Sequence, residues 1–355
     1  MKKLLLLLVA LLSLCGTDRC YGLKIIRDFS NIGIAPTNST GGGDFITIMN
    51  AACDVWELAI RDDHTLTIRF KWAPVGGGQH ELNSQGGSPN RELIGTVSFN
   101  NDNDPGHFAW YLDPSPFTCL EATGYSQQKV NLGCGPVNAT RCYSWPELGI
   151  EMDLFTAALH EIGHALGMSF GNQTFITESC DGDIDITSEQ FNWMSVPLGS
   201  NNAGYLSHID YVSDRTLMSG SYAPGERVMP SVLDIVTLAQ LSGFKDINVN
   251  LLPLLGMSKP YASGGVTKID LSWMPVIPAP QGMHYSVQTC TNLGSGIWSS
   301  VTCPISSTNG ISKMTVPVGS GNAFFKLIVK DNPSGLNLQM MAPSAPLSRS
   351  VRSLD

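Results

Sequence analysis

Two histidines and a glutamate stand close together in the run His160-Glu161-Ile162-Gly163-His164. Side chains four residues apart lie one helical turn from each other on the same face, so both imidazoles can reach one metal ion. A glutamate directly after the first histidine lies beside the position of a metal-coordinated water, from which its carboxylate can take a proton. Two nitrogen ligands, a general base and a position left open for water make up the arrangement of zinc hydrolases.

The alternative interpretation is a helix that carries two histidines by chance, and the flanking residues argue against it. Gly167 follows the second histidine, where we expect it to end the helix as a left-handed cap. The apolar residues around the motif recur at helical spacing, which predicts an amphipathic helix: Leu154, Phe155, Ala158, Leu159, Ile162 and Leu166.

From His160 to Gly167 the sequence resembles the metzincin clan of zinc endopeptidases. Their extended pattern is His-Glu-x-x-His-x-x-Gly-x-x-His, followed by a methionine turn. The match breaks at the third histidine, because that position holds Phe170, which cannot bind metal. Zinc with two protein ligands is weakly held, so either a third ligand comes from elsewhere or the site is inactive.

Of the seven histidines, His208 is the one that follows the motif within the same predicted domain. It precedes Met218 by ten residues, a spacing similar to that between the third histidine and the turn methionine of metzincins. The resemblance implies that His208 joins His160 and His164 as a zinc ligand, that Glu161 is the general base, and that Met218 packs beneath the site. Residues 168–206 would then be an insertion, which we expect to leave and re-enter the site as a surface excursion. The competing interpretation of His208 is a surface histidine in a loop.

Two further alternatives stay open. In the gluzincin clan the third zinc ligand is a glutamate on a later helix, for which Glu178 and Glu189 are available, but neither explains Gly167 or the methionine turn. The chain could instead be an inert relative of the metzincins, kept as a binding or surface module. An inert relative has no need of a general base, and the presence of Glu161 therefore favours an enzyme that hydrolyses peptide or protein substrates.

The N-terminus has the pattern of a signal peptide, which we assign to residues 1–22. Lys2 and Lys3 precede an apolar run, Leu4 to Leu12, that is too short to span a bilayer. We therefore expect a secreted protein without stable membrane insertion; a lipid anchor at Cys15 is the alternative, and the large Leu14 before it argues against one. With 30 acidic and 21 basic residues, the charge balance argues against nucleic acid as a partner.

Cysteines and acidic runs suggest further features of an exported chain. Nine cysteines occur, of which Cys15 and Cys20 would leave with the signal peptide. The other seven are expected to form disulfides, with Cys290 pairing with Cys303 and one of the remaining five left as a thiol. Two acidic runs are candidate calcium sites or, alternatively, solvated turns, since neither fits the EF-hand loop: Asp102-Asn103-Asp104 and Asp181-Gly182-Asp183-Ile184-Asp185.

The predicted fold class is α+β, in two domains. The metzincin-like domain is expected to contain a twisted mixed sheet, the zinc helix and a C-terminal helix, with the cleft under an edge strand. A Pro-, Gly- and Ser-rich linker follows, and then short alternating strands that resemble a fibronectin type III-like sandwich. The predicted elements of the first domain are Leu23–Phe29, Thr65–Trp72, Leu93–Phe99 and His107–Leu112 as strands and Phe45–Ile60 as a helix. The predicted boundaries are 23–248 for the catalytic domain, 249–266 for the linker, 267–330 for the sandwich and 331–355 for a disordered tail.

Overall fold

A computed structural model of the chain shows a mixed α+β protein that contains more strands than helices, so the predicted fold class is confirmed at that level. Among the described residues, no helix has the length and apolarity needed to cross a membrane. The predicted signal peptide lies outside them, apart from Gly22. The structure describes residues 22–101, 109–116, 122, 124–133, 135–145, 151–188, 194–200, 206–210, 216–220, 222–249, 251, 256–258, 260–273, 284–291, 297–308, 311–318, 323–330 and 337–341.

A four-stranded sheet forms one wall of the N-terminal region. Its strands are β1 (Leu23–Asp28), β2 (His64–Ala73), β3 (Gly78–Gly86) and β4 (Arg91–Asn100), in the order β1-β2-β4-β3. β1, β2 and β4 are parallel, and β3 is the antiparallel edge strand. The three parallel strands confirm sequence predictions. β3 was not predicted, because its residues are exposed or only partly buried and its sequence lacks apolar alternation.

Two helices pack against each other beside this sheet. α1 (Phe45–Ala59) begins after Asp44, whose side chain accepts a hydrogen bond from Thr47 N, and it confirms the predicted helix. α2 (Leu154–Ala165) carries the histidine motif. The indole nitrogen of Trp56 donates to Leu159 O at 2.9 Å, which joins the two helices inside the core.

The described residues between α2 and His208 form packed structure. They contain α3 (Gln173–Glu178) and the strands β9 (Asp183–Ile186), β10 (Met194–Ser200) and β11 (Leu206–Ile209), which form a sheet in the order β11-β10-β9. Phe175, Ile184 and Val196 are fully buried in the main core. The expectation of a surface excursion was therefore wrong, because this segment has an apolar face of its own. We call residues 168–206 the insertion.

The rest of the N-terminal region closes around α2. β5 (Trp110–Tyr111), within the predicted strand His107–Leu112, pairs in parallel with β8 (Met152–Asp153). β6 (Gly124–Asn131), β7 (Pro136–Ser144) and β12 (Glu226–Val228) form an antiparallel sheet in the order β12-β7-β6. The C-terminal helix α4 (Val232–Ser242) begins with a capping box between Ser231 and Asp234 and ends at Gly243 in the left-handed conformation.

Two small antiparallel sheets make up the C-terminal region and share one buried cluster. The first contains β13 (Gly256–Met257), β14 (Tyr261–Ser263), β15 (Val266–Trp273), β18 (Ile305–Thr308) and β19 (Ile311–Pro317), in the order β13-β15-β19-β18 with β14 also on β15. The second contains β16 (His284–Cys290), β17 (Ser299–Ser300), β20 (Phe324–Lys330) and β21 (Asn337–Met341), in the order β17-β16-β20-β21. Their shared cluster consists of Ile269, Leu271, Val287, Met314, Val316 and Phe325.

Two segments of this region differ from the sequence predictions. Part of the predicted linker 249–266 forms β13 and β14, and Gly264 and Gly265, both at positive φ, turn β14 into β15. Paired glycines are typical of a tight hairpin as well as of a linker, and the hairpin is what forms. The predicted disordered tail contains β21, which pairs with β20.

The thiols also differ from the prediction. Cys303 forms no disulfide, so the predicted Cys290–Cys303 bridge is absent. Pairing them by their common domain ignored the close Cα approach and facing Cβ atoms that a disulfide requires. Cys53 is likewise unbridged and is buried in α1, where desolvation raises the pKa of its thiol to about 12. Cys119 and Cys134 lie outside the described residues.

Candidate metal centre

The start of helix α2 is fixed by a buried ion-pair network. The Asp153 carboxylate caps the helix by accepting from Thr156 N and Oγ1 at 3.0 and 2.7 Å. Arg227 donates two hydrogen bonds, of 2.9 and 2.8 Å, to the same carboxylate and also forms an ion pair with Asp113 at 2.8 Å. The side chains of all three residues are almost fully buried, and the guanidinium carbon lies 4.9 Å from the ring centroid of Trp145 and 4.8 Å from that of Phe155. The network therefore fixes the position of the helix that carries the histidine motif.

The structure brings His160, His164 and His208 together. One ligand atom from each lies within 4.8 Å of those of the other two, and this is the one group of potential metal-binding side chains found among the described residues. The ring centroid of His208 lies 5.2 Å from that of His160 and 5.2 Å from that of His164. This histidine triad can hold a metal ion.

Hydrogen bonds orient the two helical imidazoles for such a role. Nδ1 of His160 donates to Leu217 O at 2.7 Å, and Nδ1 of His164 donates to Met168 O at 2.6 Å. A carbonyl oxygen only accepts, so each Nδ1 carries the proton and each neutral ring has a lone pair at Nε2. Backbone carbonyls commonly orient metal-binding histidines in this way.

The two Nε2 atoms lie 3.0 Å apart. Two lone pairs at this distance repel each other unless a cation lies between them. Tetrahedral coordination with metal–nitrogen bonds of about 2.05 Å separates ligand nitrogens by about 3.3 Å, close to the observed distance. The chemistry and spacing of these donors therefore fit a metal ion.

All three imidazoles favour the neutral form that metal coordination requires. Burial lowers the pKa of His164 to about 4 and that of His208 to about 3, and it lowers the pKa of His160 well below its ordinary value. For His160 and His208, repulsion from the neighbouring imidazoles acts in the same direction.

His208 reaches the site through the insertion sheet. On β11 it stands opposite Gly199 of β10, and the next residue, Ile209, donates its N–H to Met218 O at 2.8 Å. Asp210 N donates to Pro197 O, also at 2.8 Å. The histidine is thus held from two sides by backbone hydrogen bonds, on a strand rather than in the loop that the competing interpretation assumed.

Met218 lies beneath the helix and is fully buried. Its side chain packs against Gly163, where an added Cβ would overlap the methionine sulfur. Its amide donates to Asp234 Oδ1 at 2.9 Å, which anchors the turn to α4. The motif therefore needs a glycine between its two histidines, and the side chain of Met218 has the packing position expected of it.

Glu161 points into the cleft next to edge strand β3. Burial raises the pKa of its carboxyl group to about 8, while a hydrogen bond from the backbone of His80 opposes this shift. An added Cβ at Gly78 would overlap the carboxylate, so a glycine on β3 is needed to accommodate Glu161.

The histidine triad and Glu161 line a cleft of about 690 Å³. One wall is β3, from Gly78 to Leu82, and Gly220 and Tyr222 line the cleft after the methionine turn. The ring of Tyr222 lies 5.5 Å from that of His160. Burial, together with the carboxylates of Glu161 and Asp153, raises the pKa of Tyr222 well above its ordinary value, so the hydroxyl is a hydrogen-bond donor. Sequence reasoning missed this residue, although it follows Met218 by only four positions.

The other proposed ligands take no part in the centre. Glu178 accepts a hydrogen bond from Asp185 N at 3.2 Å within the insertion, and it does not belong to the group of ligand atoms. Glu189 and the run Asp102-Asn103-Asp104 lie outside the described residues. Asp181 and Gly182 lie in an exposed or half-exposed turn, as the alternative interpretation expected, whereas Asp183 and Asp185 alternate with buried isoleucines on β9. The acidic side chains of residues 181–185 do not form a three-ligand group in the described structure.

Comparison of the chain with protein-family models, with characterised proteins and with solved structures finds no match.

Proposed function

We propose that this protein is a secreted, zinc-dependent endopeptidase of the metzincin type. One observation carries the proposal: three neutral imidazoles converge in a cleft that also holds Glu161. Three imidazole donors suit several transition metals. A glutamate next to the same site is what zinc hydrolases need for proton transfer, and it favours zinc here.

His160, His164 and His208 would hold the ion, which supplies Lewis acidity toward the scissile carbonyl and toward the attacking water. Glu161 takes the proton from that water and later delivers it to the leaving amine. Because Tyr222 lines the cleft and its ring lies 5.5 Å from that of His160, we assign its hydroxyl as the donor of a hydrogen bond to the oxygen on which negative charge develops.

The peptide is held by edge strand β3. One side of this strand pairs with β4, and the cleft runs along the strand from Gly78 to Leu82. An extended peptide can therefore add to β3 by backbone hydrogen bonds, which bind main chain irrespective of sequence. This mode of binding favours a peptide substrate over a small ester or amide.

Further features support the assignment to the metzincins. These are a mixed sheet with one antiparallel edge strand, a histidine helix, and a buried methionine turn after the third histidine. We assign the C-terminal region as a fibronectin type III-like or immunoglobulin-like sandwich. Two sheets, of four and five strands, that enclose one core support this assignment. The pattern in residues 1–22 carries the proposal of secretion.

The test uses the purified full chain. We expect about one zinc ion per molecule by elemental analysis and cleavage of an unfolded protein substrate. A chelator should abolish the cleavage, and added zinc should restore it. Protein without bound metal, or cleavage that resists chelation, would contradict the proposal. Metal binding without cleavage of any peptide or protein would support the inert relative instead.

A further inference from the structure

The end of the cleft beside His164 is lined by residues that have no part in the proposed catalysis. Gly167 leaves the helix with φ of +152°, and an added Cβ there would overlap Ser242 Oγ. The next residue, Met168, accepts the hydrogen bond from His164 Nδ1. The chain from Met168 to Gly171 is therefore held directly next to a metal ligand, and it lines the cleft.

Phe170 is the exposed aromatic residue of this segment. The residue is 51 % exposed, although it stands at the position of the third histidine in the metzincin pattern. One edge of the ring packs on the fully buried Phe175 at 5.6 Å in an edge-to-face arrangement. Phe170 also lines the cleft, so the ring is anchored by the insertion and adds apolar surface to the cleft, as in a preformed binding surface.

Leu82 of β3 borders the same end from the opposite wall. It packs so closely on the backbone of Gly171 that an added Cβ would overlap it. Among the described residues that line the cleft, no lysine or arginine occurs, and Glu161 is the one acidic residue. A charged substrate side chain at this end would lose hydration without gaining an oppositely charged partner from Phe170 or Leu82.

We propose that Phe170 and Leu82 form an apolar subsite that selects a large apolar or aromatic side chain of the substrate, on the side of the scissile bond nearer to His164. This inference rests on the proposed peptidase function and adds the substrate class to it. Successive side chains of an extended peptide point to opposite faces. The subsite therefore selects the side chain at one position of the peptide and does not constrain the side chains at the two adjacent positions.

The experiment measures kcat/KM with quenched fluorogenic peptides in which each position around the scissile bond is varied in turn among Phe, Leu, Ala, Lys and Glu. We expect one position to favour Phe and Leu over Lys and Glu. Phe170→Ala should lower kcat/KM for the preferred peptide by about 10- to 100-fold and reduce that preference. Its effect on the matched Ala peptide should stay within about twofold, and Phe170→Leu should keep most of the preference. Ile176→Ala, which truncates another exposed apolar residue of the insertion, is the matched control and should change neither value.

A binding measurement separates this inference from the proposed function. In a Glu161→Gln background, Phe170→Ala should weaken binding of the preferred peptide but not of the Ala peptide, measured by fluorescence anisotropy on zinc-loaded protein. If the wild type cleaves peptides but Phe170→Ala leaves the preference and the binding unchanged, the subsite is wrong and the peptidase stands. If the wild type cleaves no peptide in any series, the proposed function itself fails.

Discussion

Helix α2 brings His160 and His164 together through a spacing of four residues, whereas β11 brings His208 to the same cleft through strand pairing. The first arrangement is local, because it needs only that the segment be helical. The second needs the insertion to fold, to pair Gly199 with His208, and to bond to Met218 O. Local spacing thus supplies two donors, and the third depends on contacts far apart in sequence.

Removing His208 tests whether strand β11 completes the centre, and it should have the largest effect. His208→Ala leaves two imidazoles, and we expect zinc affinity to fall by more than about 100-fold, since even outer-shell partners cost 10- to 100-fold. Activity should be lost with the metal. Elemental analysis after dialysis and a cleavage assay measure the two effects. His64→Ala, which removes a histidine outside the triad, should keep the metal. Retention of stoichiometric zinc by His208→Ala would contradict the assignment of His208 as a zinc ligand. It would favour a glutamate ligand or an inert site instead.

Glu161→Gln tests the chemistry of the helix without disturbing its ligands. The amide keeps the shape of the side chain but cannot accept a proton, so we expect turnover to fall by about 10²- to 10⁴-fold. Bound zinc should stay near the wild-type level, in contrast to His208→Ala. Wild-type turnover in this variant would show that another group is the base.

Arg227→Met tests the anchor of helix α2. The substitution leaves the buried carboxylates of Asp153 and Asp113 without their cation, and removing one partner of a buried pair costs about 3–5 kcal/mol. We expect a loss of this size in the free energy of unfolding, measured by chemical denaturation. Arg69→Met removes an exposed arginine that pairs with Asp28, and it should leave that free energy almost unchanged. Equal effects of the two substitutions would contradict the anchoring role.

Met218→Leu addresses the contact between the helix and the turn, and it should have the smallest effect. The change roughly conserves volume, so we expect a loss of less than about 1.5 kcal/mol in the free energy of unfolding. Zinc content should not change, because the sulfur packs on Gly163 instead of binding the ion. Stoichiometric loss of zinc in this variant would show that the methionine is a ligand or that the turn is misassigned.

The comparison also explains what could be predicted from the sequence. Helices α1 and α2 and strands β1, β2 and β4 follow from apolar periodicity, and the histidine spacing follows from helix geometry. His208 was identified by elimination among seven histidines and by a resemblance, and the structure brings it to the other two. That its placement depends on pairing with β10 could not be foreseen, because strand register is a property of the folded sheet.

Other residues of the site carry no local signal. Arg227 is a polar residue that is fully buried only because Asp113 and Asp153 lie beside it, and these three are separated by long stretches of chain. Edge strand β3 is polar because one of its sides faces the cleft. The alternation of aspartate and isoleucine in β9 was readable as a strand. It was overlooked because its acidic residues suggested calcium or a turn.

A metal ion bound by both His164 and His208 would affect the unfolded chain as well as the folded one. The two residues are 44 positions apart, so an ion bound by both closes a loop of that length. A cross-link of this kind restricts the denatured ensemble as a disulfide does, and chain entropy gives a disulfide of this loop length about 4 kcal/mol. Cys53 and Cys303 contribute no such bridge. A bound metal would then link helix α2 to strand β11, and a chelator would lower the free energy of unfolding as well as stop the proposed reaction.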